Sequence, residues 1–269
     1  TIANPAELAS KLIGRHVVHI ADNGAPRGDR HIVLWKPPVV NDALGLSAPA
    51  RRETTSIATS AIASGLKSIV FGRTRTTVEV LTKYLKDRFD RDPRVPSRIR
   101  GYRGGYLPNQ RRDVERALRD DELDCVVSTS ALELGVDIGG LDVAILNGYP
   151  GTIAGTWQRL GRAGRRLRPS LGVLVATSAP LDQFLIRHPE LLQNASPEHA
   201  RIDPNQLLIL LDHIRASAFE LPFHSGEKFG NQPVDEFLDY LQEQGVLHQE
   251  AGRWHWVDES YPANTISLR

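Results

Sequence analysis

With 269 residues, 41% hydrophobic and 24% charged, the chain is long enough for one large or two small domains and has an ordinary globular composition. A net charge of +1 excludes a chain that is basic throughout, and a single cysteine, Cys125, excludes an internal disulfide or a cysteine-based zinc site. The longest aliphatic run, residues 207–211, is far too short for a membrane span, and no signal-peptide pattern appears, so an intracellular, cytoplasmic or nucleoid address without a membrane partner is expected.

In chain order, Asn4 and Pro5 suit the N-cap and first position of a helix reaching about Ile13. Two β-rich runs follow, 17–20 and 31–35, separated by a turn, and the polar stretch 41–51 reads as a mobile linker. From Glu53 onward helix and strand alternate. Helices are expected at 54–64, 76–89 and 109–121, and buried strands at 68–71, 99–102, 124–128, 141–146 and 172–176. Five strands interleaved with four helices close most simply as an α/β fold, a parallel sheet with helices on both faces. Ligands of such sheets gather at the carboxyl ends of the strands, which places segments 72–75, 103–105 and 128–135 on one functional edge.

After Pro180 the alternation stops. Helices are expected at 181–186 and 205–219, then an amphipathic helix with Val234, Phe237, Leu238 and Leu241 inward, ending at Gly245. A hairpin through Ala251-Gly252 completes the plan of a winged helix, with Trp254 and Trp256 on one strand face as core residues. The expected division is 1–50, a helix, strand pair and linker; 51–200, the α/β domain; and 201–269, the smaller helical, winged-helix-like module.

The arginines are clustered despite the balanced net charge. Between Arg88 and Arg119 ten of them face four acids, a local field that suits nucleic acid. A second cluster lies at 156–166, where Arg159, Arg162 and Arg165 recur every third residue. On a continuous helix they would drift slowly around one face, kept thin by Gly161, Ala163 and Gly164. Arginine forks at this spacing suit phosphate oxygens.

Four segments occur in register: SIVFGRTR at 68–75, YRGGYL at 102–107, STSALELGVDI at 128–138 and QRLGRAGR at 158–165. They resemble motifs IV, IVa, V and VI of superfamily 2 helicases, which together define the second RecA-like domain. With LDQFLIRHPELL at 181–192, the chain is most similar to the mitomycin-repair (MrfA/YprA-type) helicases, with the Lhr-type helicases as nearest rival. In that family the Ser-Ala-Thr of motif III runs into Ile-Ala-Asn-Pro, and Thr1 to Pro5 resembles that junction. No G-x-x-x-x-G-K-[ST] phosphate loop, no Asp-Glu-x-His box and no methionine occurs in the sequence, which reads as a fragment lacking the first motor domain.

The resemblance implies an ATP-dependent 3′-5′ DNA helicase of DNA repair, with ATP and Mg2+ as cofactors, the metal held mainly by the missing domain. It implies that Arg162 and Arg165 act as arginine fingers, that Gln158 and Arg159 brace the nucleotide, and that Asp137 contacts ribose or links nucleotide state to closure. Arg73, Thr74, Arg75, Arg103, Gly104, Thr129 and Ser130 are implied to hold strand phosphates, and Glu133 to brace the arginines. The partners implied are single-stranded or partly duplex DNA and the first RecA-like domain. A non-catalytic nucleic-acid-binding module with the same fold is the alternative.

Overall fold

Strands β4 (Ser68–Gly72), β6 (Cys125–Ser128) and β7 (Val143–Asn147) are apolar and buried along their whole length in the computed structural model, as expected of strands covered on both faces. The structure describes residues 1–22, 24, 28–90, 92, 94–134, 138–164, 168–203, 205–264 and 266. These three strands form the centre of a six-stranded parallel sheet in the order β1-β8-β7-β4-β6-β5, where β1 is Arg30–Trp35, β5 is Ile99–Tyr102 and β8 is Ser170–Val175.

Side chains alternate between the two faces of the sheet. Val70, Val127, Val143 and Ile145 pack under α2 (Ala50–Ala63) and α3 (Arg75–Phe89) through Ala58, Val78, Leu81 and Leu85. Ile69, Phe71, Val126, Ala144 and Leu146 face the other way. They are covered by α4 (Pro108–Arg119), α5 (Ile153–Leu160), α6 (Pro180–Arg187) and α7 (Glu190–Asn194) through Val114, Leu118, Leu160, Leu185 and Leu192. Cys125 lies at the start of β6, and burial pushes its thiol up to about 12, so it is a core side chain.

Three local expectations are corrected. Only the second of the two β-rich runs is a strand. Residues 30–35 pair in parallel with β8 and add a sixth strand, while 17–20 form none. The sheet thus takes in a strand from the 1–50 stretch that the sequence set apart. The stretch expected as a linker is a small hairpin, β2 (Val39–Asn41) with β3 (Leu46–Ser47), turned through Gly45 at φ 60 and closed by Ala48 N–H to Pro38 O at 2.8 Å. The arginine helix is the third. α5 ends at Leu160, with Gly161 as its C-cap, so Arg162 lies past the helix. Gly164 adopts φ 89, donates to Leu141 O at 3.0 Å, and follows Ala163 in a parallel bridge to Leu141. The glycines that made the face thin also stop the helix.

The chain divides into two compact units, Thr1–Ser10 with Arg15–Ala200, and Lys11–Gly14 with Arg201–Arg269. Helix α1 (Pro5–Ile13) begins the chain, and Asn4 ties its start to Ala200 through paired side-chain hydrogen bonds of 3.0 and 2.9 Å. The second unit holds α8 (Leu207–Glu220), β9 (Phe223–His224), the short pair β10 (Lys228–Phe229) and β11 (Gln232–Pro233), and α9 (Asp235–Glu243). Strands β12 (Leu247–Glu250) and β13 (Arg253–Trp256) then form a hairpin that β9 joins as a third strand. Val234, Leu238, Leu241, Leu247 and Trp254 form its core with Ile214, and Trp256 packs partly against it, the core role expected for both tryptophans. Helix, helix, hairpin is the winged-helix plan.

Candidate nucleotide and nucleic-acid site

Register fixes the functional edge. Tyr102 and Phe71 both pair with Ser128, and Gly72 pairs with Asn147, so β5, β6, β4 and β7 end at one level. Residues 73–75, 103–104 and 129–130 therefore leave the sheet side by side over three neighbouring strands, roughly 10 Å across. Arg73 is exposed, and Thr74 caps α3, its hydroxyl accepting from Thr77 N at 3.1 Å, with exposed Arg75 at the first helical position. Thr129 caps a short 3-10 turn, accepting from Ala131 N at 3.4 Å, and Ser130 is exposed.

Arg103 lies on this edge but is held. Its Nε donates to Glu79 Oε1 at 2.7 Å, and its guanidinium sits 4.6 Å from the Tyr106 ring centroid. Tyr106 also donates to Glu79. Gly104 is open, with nothing within 4 Å of a Cβ built there. Beside Arg73 and Thr74 a cleft of about 850 Å³ opens, reaching Asn147, Thr177 and Gln183 on one side and residues 45–51 on the other. Sequence reasoning missed these neighbours, because their closeness depends on the order β8-β7-β4 and not on local pattern.

The second group of candidates lies on the sheet face covered by α5. Arg159 Nε donates to Glu133 Oε2 at 2.8 Å, both side chains largely buried, with its guanidinium 5.6 Å from the Phe71 ring centroid. Arg162, only 6% exposed, donates from Nε to the Glu133 carbonyl at 3.0 Å and from Nη2 to the same oxygen. Glu133 thus engages both arginines, one through its carboxylate and one through its backbone. Gln158 is half-buried near the end of α5. Asp137 and Arg165 lie outside the described residues.

Helix α5 is anchored at its start from two directions. Thr152 Oγ1 accepts from Gly155 N at 3.0 Å, and the Glu198 carboxylate accepts from Ile153 N at 2.7 Å and Ala154 N at 2.9 Å. The amide of Ala154, foremost, and that of Ile153 hold the Glu198 carboxyl below the usual carboxylate range. Glu198 carries no local signal that reveals this role, since it sits 45 residues beyond the helix start.

Arg159 and Arg162 carry N–H donors alone, and Gln158 adds a carboxamide. No group of three metal-ligating side chains occurs among the described residues. No helix among them is long and apolar enough to cross a membrane.

Comparison with known proteins gives the kinds of domain present. The chain is 48% identical over its whole length to the uncharacterized ATP-dependent helicase YprA of Bacillus subtilis, of which it covers 36%. It is 32% identical over 71% of its length to the ATP-dependent helicase Lhr-Core protein 2 of Thermococcus barophilus, covering 24% of that protein. The crystal structure of helicase MrfA bound to DNA and AMPPNP matches the whole chain with a TM-score of 0.93 at 48% identity, over 37% of that chain. The chain therefore spans little more than a third of these relatives' length at most. Residues 53–166 match the helicase conserved C-terminal domain, and residues 202–269 match the winged helix domain of the ATP-dependent helicase HRQ1. By these matches the chain is a RecA-like helicase C-terminal domain followed by a winged helix domain.

Proposed function

We propose that the chain is the second motor domain, with an accessory winged module at 201–269, of an ATP-dependent 3′-5′ DNA helicase or translocase acting in DNA repair. The observation that carries this reading is the single edge from which residues 73–75, 103–104 and 129–130 emerge. Arginines, hydroxyls and the amides of helix starts together form a row of phosphate contacts with no base-reading element, which suits movement along a strand of any sequence. DNA as the strand is supported by the DNA-bound state of the similar MrfA structure.

ATP supplies the free energy of hydrolysis. Arg162 and Arg165 bind the oxygens of its terminal phosphoryl group and offset the charge that develops there. Gln158 and Arg159 brace the nucleotide, and Asp137 contacts its ribose or links nucleotide state to domain closure. Glu133 orients the arginine pair by fixing Arg159 and Arg162 from one residue. Mg2+ would be held mainly by carboxylates of a first motor domain. The lack of a phosphate-loop sequence favours one alternative, a binding module without chemistry.

Titration of this chain with labelled single-stranded oligonucleotides at several salt concentrations tests the strand contacts. Binding should be salt-dependent and sequence-tolerant, and Arg73→Ala should lower the logarithmic salt slope by about 0.7, the value for one phosphate contact on a single strand. Binding that ignores salt contradicts the reading.

A further inference from the structure

Between α2 and α3, on the sheet face opposite the arginine pair, runs a second cleft of about 550 Å³ lined by Pro49, Arg51, Arg52, Thr59, Tyr84 and Arg88 together with further hydroxyl side chains. None of the described residues lining it is acidic. Arg51, Arg52 and Arg88 are exposed and make no ion pair among the described residues. Some other arginines of this unit are tied to carboxylates, as Arg98 is to Asp124 and Arg103 to Glu79.

The floor of the cleft carries a second signal. Thr59 is 8% exposed and its hydroxyl has no hydrogen-bond partner, whereas Thr55 and Ser60 on the same helix donate to the carbonyls of Arg51 and Ser56. A buried hydroxyl without a partner is costly unless a ligand oxygen accepts from it. Tyr84 is half exposed and offers an aromatic face at the rim.

Pro49 and Arg51 also line the cleft that holds Arg73 and Thr74. The two clefts therefore meet at the start of α2, and a chain of phosphates leaving Arg73 has a cationic, hydroxyl-lined path onward. We propose that the α2–α3 groove is a second nucleic-acid-binding site, in which Arg51, Arg52, Arg88 and the Thr59 hydroxyl hold backbone phosphates of the strand beyond the sheet edge. This extension rests on the strand-contact reading above.

The test compares labelled oligothymidylates of about 6 and about 25 nucleotides, one within and one beyond the site size of a single binding fold. The Arg52→Gln/Arg88→Gln variant should bind the long strand at least about tenfold more weakly, with the salt slope reduced by about 1.4, and bind the short strand as the wild type does. Thr59→Val should weaken the long strand alone, by a smaller factor, without removing a charge. Wild-type affinity of the double variant for the long strand, or an equal loss at both lengths, overturns the groove. Arg73→Ala without effect on the short strand contradicts the sheet-edge reading instead. A wild-type chain that binds neither strand removes both.

Discussion

Glu133 has the most informative surroundings of any single residue. Its carboxylate accepts from Arg159 and its carbonyl from Arg162, with the two acidic and basic side chains of the ion pair 16% and 11% exposed. One residue of the STSALELG segment thus holds two arginines of QRLGRAGR, which makes the two motifs one unit. Glu133→Ala leaves the Arg159 guanidinium largely buried without its carboxylate, and a loss of about 2–3 kcal/mol follows for a pair of this burial. In a unit of this size that is roughly 5–10 °C in Tm, readable by circular dichroism. Glu133→Gln keeps a hydrogen-bond acceptor and the backbone carbonyl and should lose less. A Glu133→Ala protein with wild-type Tm shows that the pair holds nothing in place.

At the scale of the element, α5 connects the fold to the site. Thr152 and Glu198 fix its beginning, and it stops at the C-cap Gly161, where a Cβ would lie 2.8 Å from Trp157 O. Glu198→Ala should cost about 0.5–1 kcal/mol, the scale of an exposed helix cap. The folded-state carboxyl lies below its ordinary 4.5, so this stability is present above that pH and is lost as pH falls through the folded value. The gap between wild type and Glu198→Ala should therefore close in acid, and a gap independent of pH contradicts the capping role.

The same elements show what was legible beforehand. The continuous apolar runs of β4, β6 and β7 fixed the centre of the sheet, because burial on both faces leaves a compositional mark. Strand β1 sits at an edge with a half-exposed pattern and pairs with β8 some 140 residues away, so local propensity could not choose it over 17–20. The arginine spacing suited a continuous helix, and the glycines that end it at Leu160 were read as thinning that helix instead.

On the scale of the whole molecule, the chain holds two candidate surfaces on one sheet, a strand-end row at 73–75, 103–104 and 129–130 and an arginine pair on the α5 face. The strand-end row was anticipated because parallel sheets place such segments together regardless of sequence. The neighbours that complete it, Glu79, Tyr106 and the cleft reaching Thr177 and Gln183, follow from tertiary order alone. A winged helix follows in the second unit. The phosphate chemistry that we assign to Arg162 and Arg165 requires a phosphate loop, so this chain alone should show no DNA-stimulated ATP turnover.

The decisive measurement is ATP turnover with single-stranded DNA in a protein that joins this chain to a phosphate-loop domain, wild type against Arg165→Ala. The account predicts a fall of about 10³-fold or more, with oligonucleotide affinity within about twofold. Turnover at the wild-type rate in Arg165→Ala would contradict it.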